Sequence, residues 1–80
     1  MTRAELLEKT AEVIRNNFDD DELEITDATT ASDVEDWDSL EQINILVALE
    51  KTFATKFAVS EVEGLQNVGE MVDLIEKKLG

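Results

Sequence analysis

The run Asp36-Trp37-Asp38-Ser39-Leu40 is the place in this 80-residue chain where residue types and spacing most suggest chemistry. Asp38 followed three residues later by Glu41 has the spacing of a helix cap, which puts Ser39 in the first turn of the helix that begins there. A serine hydroxyl in that turn lies beside unpaired backbone N–H groups and the positive end of the helix dipole. Both favour an anionic substituent, such as a phosphodiester, on its oxygen. The chain has no histidine, cysteine or tyrosine to activate the hydroxyl, so Ser39 reads as a position that another enzyme modifies rather than as a nucleophile. The plainer reading, an ordinary serine at a helix start, stays open at this stage.

Other chemistries are poorly served. Without histidine the usual general base and the common triads are missing, and a chain this short offers little wall for a substrate cleft, so an enzyme is not expected. Asp19, Asp20, Asp21 and Glu22 lack the alternating ligands, central glycine and final glutamate of a calcium loop, and no metal site is expected. Twenty acidic against seven basic residues give a net charge of −13, which repels nucleic acid and anionic membrane surfaces. Twelve acids and no base lie between Arg15 and Lys51, a field suited to steering partners with basic docking patches. The absence of a membrane-length apolar run or a signal-peptide core predicts a soluble, cytoplasmic protein, expected as a monomer.

The elements that would position Ser39 follow from periodicity. Eighty residues allow one domain, 1–80, and with 42% hydrophobic residues it can build a core of packed helices. Thr2 and Glu5 form a capping-box pair opening a first helix to about Asn17, with Leu7, Ala11, Ile14 and Phe18 as its stripe and Leu6 and Val13 beside it. Phe18 to Asp38 loses the period and reads as a long loop pinned by Leu23, Ile25 and Val34. A second helix runs from Asp38 to about Phe53, with Ile43, Ile45, Leu46, Leu49 and Phe53 toward the core and Leu40, Asn44, Val47 and Lys51 on the opposite side. Ser60 with Glu63 caps a short third helix that Gly64 ends. Asn67 with Glu70 opens a fourth, where Val68, Met71, Val72, Ile75 and Leu79 keep the period. The expected fold is an all-α four-helix bundle with three longer helices, a short third and a long first loop. The capped start and Gly80 end are expected of a stand-alone chain.

The run Asp38-Ser39-Leu40, the following Ala48-Leu49-Glu50 and Phe53, and Leu65-Gln66-Asn67-Val68-Gly69-Glu70-Met71-Val72-Asp73-Leu74-Ile75 resemble the acyl carrier proteins in kind and order over nearly the whole chain. The resemblance implies that Ser39 is joined to 4′-phosphopantetheine by a phosphopantetheinyl transferase with coenzyme A as donor. Asp38 would match the aspartate before that serine. The arm's thiol would carry acyl groups as thioesters among acyl-loading and acyl-processing enzymes of fatty-acid, polyketide or related biosynthesis. An aminoacyl or peptidyl carrier, and an unmodified helical interaction module, are the rival readings.

Leu40, Glu41, Asn44, Val47, Glu50, Lys51 and Trp37 are the candidates for partner docking, and Leu46, Leu49, Phe53, Leu65, Met71 and Ile75 for a cleft that shelters the acyl chain. The sequence departs from the family where Asp36 replaces the usual glycine before the Asp-Ser-Leu run, with Trp37 between. It departs again where Asn44 and Lys51 stand in places that commonly hold glutamates, with Lys56 adding positive charge. Those departures point to a carrier dedicated to one pathway.

Overall fold

A computed structural model describes residues 1–80, in which four helices follow one another with no strand: α1 Arg3–Phe18, α2 Ser39–Phe53, α3 Val59–Val62 and α4 Val68–Leu79. The local signals explain three of the four starts. Thr2 accepts from the Glu5 amide at 3.2 Å while Glu5 accepts from the Thr2 amide at 2.9 Å, the reciprocal capping box. Asp38 caps α2 and Asn67 caps α4, each through a side-chain oxygen that accepts the amide three residues on. The α1 and α2 helices end on Asp19 and Ala54 in the left-handed conformation. For Ala54, which has no polar side chain to compensate, that costs about 1–2 kcal/mol.

α3 starts differently from the sequence reading. Its cap position is Ala58, Ser60 lies inside it, and Glu61 rather than Glu63 reaches back to accept the Ala58 amide at 2.7 Å. The expected pair was displaced by two residues because Ser60-Glu63 and Ala58-Glu61 have the same spacing, and a glutamate returning to a backbone N–H works without a serine at the cap.

The core sits among α1, α2 and α4. Leu6, Ile14, Ile45, Leu49, Val68, Val72 and Ile75 are all but fully enclosed, the larger of them each worth about 1.5–3 kcal/mol of transfer free energy. Two faces are rotated from the sequence reading. On α1 the centre of the buried stripe is Leu6, Thr10, Ala11 and Ile14, with Leu7, Val13 and Phe18 at its margin. Thr10 can sit there because its hydroxyl donates to the Leu6 carbonyl at 2.8 Å. On α2 the buried line is Ile45, Leu49 and Phe53, Leu46 is half-buried, and Ile43 faces outward. Leu79, placed with the core of α4 by its period, is also exposed, because the last turn runs past the other helices.

The long connection between α1 and α2 is tied down at several points. Ile25 and Thr29 are buried, and Ala31–Asp33 forms a 3-10 turn. The carbonyls of Asp27 and Thr29 accept the Gly69 and Val68 amides at 2.9 and 2.8 Å. The loop thereby satisfies two first-turn amides of α4 that would otherwise lack partners. Arg3 clamps the same corner, donating to Asp27 at 2.8 Å, to the Gly69 carbonyl at 3.2 Å, and to Asp73.

Candidate functional site

Asp38 and Ser39 divide the work at the start of α2. The Asp38 carboxylate accepts the Glu41 amide at 2.9 Å, so the cap is complete without the serine hydroxyl, and Ser39 is exposed as the first helical residue. The amides of Ser39 and Leu40 take no partner within the protein. The site therefore presents a free hydroxyl, two open N–H donors and the positive helix end together, an arrangement suited to a phosphodiester on Ser39.

Trp37 holds that geometry in place. It is only 7% exposed, its indole Nε1 donates to Gln42 Oε1 at 2.7 Å, and its ring centroid lies 5.8 Å from that of Phe18 in a tilted packing. The bulky residue expected on the docking surface is an inward anchor that fastens the loop to the second turn of α2. It leaves the docking set because its apolar ring gains more from burial than from solvent.

A cavity of about 680 Å³ opens beside Ser39, with Trp37, Ile43, Val62, Leu65 and Met71 among its walls and Thr29, Gln42 and Asn67 as polar members. Of the six residues expected to line a cleft, Leu65 and Met71 are on this wall. Leu49 and Ile75 are fully enclosed and Phe53 nearly so; they fill the helix core, and Leu46 is half-buried away from the cavity. Periodicity marked them as apolar and inward, but could not separate a core wall from a cavity wall. It missed Ile43, Val62 and Trp37, whose exposure or position depends on where the loop and α3 lie.

The remaining docking candidates spread along the outer side of α2. Leu40 and Val47 are 65% and 43% exposed, and Ile43, assigned to the core from sequence, joins them at 58%. Asn44 donates to Glu41 at 3.1 Å, and Glu41 also accepts from Asn17 at 3.2 Å. Glu50 is half-buried and accepts the Phe57 amide at 2.7 Å, so its carboxylate fastens the turn after α2. Lys51 is exposed.

The α3 side of the cavity is held by Glu61, which pairs with Lys78 at 2.7 Å. The Lys78 ammonium, and after it the Ala58 amide, keep the Glu61 carboxyl below its ordinary value of 4.5. α3 contributes no buried residue.

This geometry has known counterparts. Residues 4–75 match the family model described as a phosphopantetheine attachment site. An acyl carrier protein of Petrotoga mobilis is 35% identical over 79 residues, covering 99% of this chain and 93% of that one. One from Thermotoga maritima is 30% identical over 79 residues, covering 99% and 98%. Among solved structures, the holo acyl carrier protein of Geobacter metallireducens superposes with a TM-score of 0.86 at 42% identity, over 92% of this chain and 85% of that one. With its match to the attachment-site model over most of its length, a helical architecture shared with a solved holo carrier, and an exposed serine at a helix start that suits a phosphodiester, this chain belongs to the acyl carrier protein family, whose members are carriers bearing covalent 4′-phosphopantetheine rather than catalysts.

Proposed function

We propose that Ser39 is the residue that bears the 4′-phosphopantetheine, and that the protein carries acyl groups as thioesters between enzymes of fatty-acid, polyketide or related biosynthesis. The observation that carries this reading is the free, exposed Ser39 hydroxyl at the start of α2, beside a cavity with apolar walls. In the modification Ser39 Oγ bonds to the phosphorus that bears the pantetheine, the bond from that phosphorus to the nucleotide portion of coenzyme A breaks, and the serine proton goes to a base of the transferase. The base comes from the transferase because the chain has no histidine and the adjacent carboxylate, Asp38, is engaged in capping α2. Once formed, the phosphodiester rests against the open amides of Ser39 and Leu40. The bound arm supplies the thiol that a cysteine-free chain lacks.

For the cargo, the cavity walled by Ile43, Val62, Leu65 and Met71 offers an apolar shelter within reach of Ser39. Its α3 side is the least anchored part of the fold, so it can yield to a longer chain.

Intact mass after incubation with coenzyme A and a broad-specificity phosphopantetheinyl transferase tests the reading. The wild type gains one arm, and Ser39→Ala gains none while keeping a helical circular dichroism spectrum. Arm mass on the alanine variant, or none on the wild type with several transferases, would refute the assignment. Loading the holo form with acyl or aminoacyl groups then separates an acyl carrier from an aminoacyl or peptidyl one.

A further inference from the structure

The outer stripe of α2 carries a charge polarity along its length. Leu40, Ile43, Val47 and Lys51 follow at intervals of three, four and four, which keeps them on one side of the helix. They span about 17 Å at 1.5 Å per residue. At the Ser39 end the exposed carboxylates of Glu35, Asp36 and Asp38 gather just before the helix, with Glu41 in its first turn. None of them forms an ion pair.

The far end has the opposite sign. Lys51 and Lys56, both exposed and neither in an ion pair, flank a depression of about 260 Å³ shared with Val47, Ala54 and Thr55. The one acid there, Glu50, is half-buried with its carboxylate on the Phe57 amide, and the two exposed lysines outnumber it. Arg3, Arg15 and Lys78 are each paired with carboxylates, and the other two unpaired lysines, Lys9 on α1 and Lys77 on α4, lie off α2. Two free lysines beside an apolar stripe in a chain of net charge −13 stand out against the field of the remainder of the molecule.

We infer that this stripe docks a partner protein of matching polarity, apolar in the middle, basic where it meets Asp36 and Asp38, and acidic where it meets Lys51 and Lys56, and that the second contact fixes the direction in which the partner lies along α2. The argument is charge complementarity. A uniformly basic face gains at the Ser39 end and loses against the two lysines, whereas a bipolar face gains at both. If turned end for end, the bipolar face places like charges together twice. Such docking leaves one end of the partner facing Ser39, where an enzyme acting on the arm needs its entrance. The inference rests on the carrier reading for its purpose, but it is tested without the arm.

The probe is a pair of synthetic 14-residue helical peptides with the same three leucines, arginines at one end and glutamates at the other. One carries a nitroxide at the acidic end and its twin carries it at the basic end. With the apo protein, the acidic-end label should broaden the amides of Val47, Lys51 and Lys56 more than those of Asp38 to Glu41, and the basic-end label the reverse. The expected bias is about fivefold, as two exposed charge contacts together supply. The double substitution Lys51→Glu with Lys56→Glu should remove it, with circular dichroism confirming the fold. Equal broadening at both ends in the wild type, a bias unchanged in the double variant, or no binding at millimolar peptide would overturn the inference. Each of those results is independent of whether Ser39 accepts the arm.

Discussion

Replacing Gly69 by alanine sets helix propensity against loop packing, and the structure decides which wins. Gly69 is the second residue of α4, and alanine in a helix is favoured over glycine by up to about 1 kcal/mol. That gain is smaller in a first turn, where helical hydrogen bonding is incomplete. A methyl group there would lie 2.9 Å from the Asp27 carbonyl oxygen, 3.1 Å from Asp27 Oδ1 and 3.2 Å from Asn67 Oδ1. The nearest of these is backbone, and it is the acceptor for the Gly69 amide. The segment around Asp27 must therefore move, loosening the bonds from the Val68 and Gly69 amides and disturbing the Arg3 clamp. Forcing an extra methyl into such a contact costs about 1–3 kcal/mol. The net expectation is a loss of about 1–2 kcal/mol, or roughly 5–10 °C in Tm for a domain of this size. Calorimetry gives the Tm, and hydrogen exchange should show lost protection at the Val68 and Gly69 amides. Gly64, with nothing within 4 Å of the same methyl position, is the control and should change by no more than about 0.5 kcal/mol. A Gly69→Ala protein as stable as the wild type, with both amides still protected, would refute the claim that the loop is seated rigidly on α4.

Two further outcomes follow from caps and charges. Asp38→Ala removes the side chain that accepts the Glu41 amide and should cost about 1 kcal/mol in urea unfolding, with the fold retained; a loss below the precision of the measurement would mean that water caps α2 equally well. Glu5, held below its ordinary 4.5 by the Thr2 amide and hydroxyl, and Glu61, held below it by Lys78 and the Ala58 amide, both bind protons less readily when folded. Their contribution is therefore complete above about pH 4.5 and is lost as the pH falls below it. Relief of repulsion among the excess carboxylates works the other way. Tm should hold or rise from pH 7 to 5 and fall below 4.5, and Glu5→Gln with Glu61→Gln should flatten that fall; an unchanged acid limb in the double variant would remove these two groups as its cause.

Helix number, order and three of the four caps were legible in the sequence because they depend on spacing along the chain alone. Thr2 with Glu5, Asp38 with Glu41 and Asn67 with Glu70 each place an acceptor where an unpaired amide must be, whatever the tertiary arrangement. The place of Ser39 in the first turn of α2 was legible for the same reason. The errors lie where two elements must be known together. Ile43 is apolar and three residues from Leu46, which extends the arc to it, yet it lies about 160° round the helix from Ile45; the side that is buried is just Ile45, Leu49 and Phe53. Thr10 was passed over because its polarity hid a hydroxyl satisfied within its own helix. Trp37 could have been an outward contact or an inward anchor, and Phe18 and Gln42, which decide between them, come from elements whose relation to Trp37 is set by the path of the loop.

The division of labour among the helices bears on how the cavity beside Ser39 could change its size without unfolding the protein. α1, α2 and α4 supply Leu6, Ile14, Ile45, Leu49, Val68, Val72 and Ile75, the enclosed residues on which stability chiefly depends. The cavity beside Ser39 is walled on its other side by Val62 and Leu65, around an α3 that contributes nothing fully buried and is tied by Glu61 to the Ala58 amide and to Lys78. Such ties are partly exposed and individually weak. A displacement of α3 would thus enlarge the cavity at small cost, while the same displacement of α4 would expose Val72 and Ile75 and cost several kcal/mol. Met71 stands at the boundary, nearly buried yet on the cavity wall, and its flexible thioether can repack as the wall moves. The physics therefore favours adjustment on the α3 side, leaving the start of α2 and its Asp38 cap as a fixed base for Ser39.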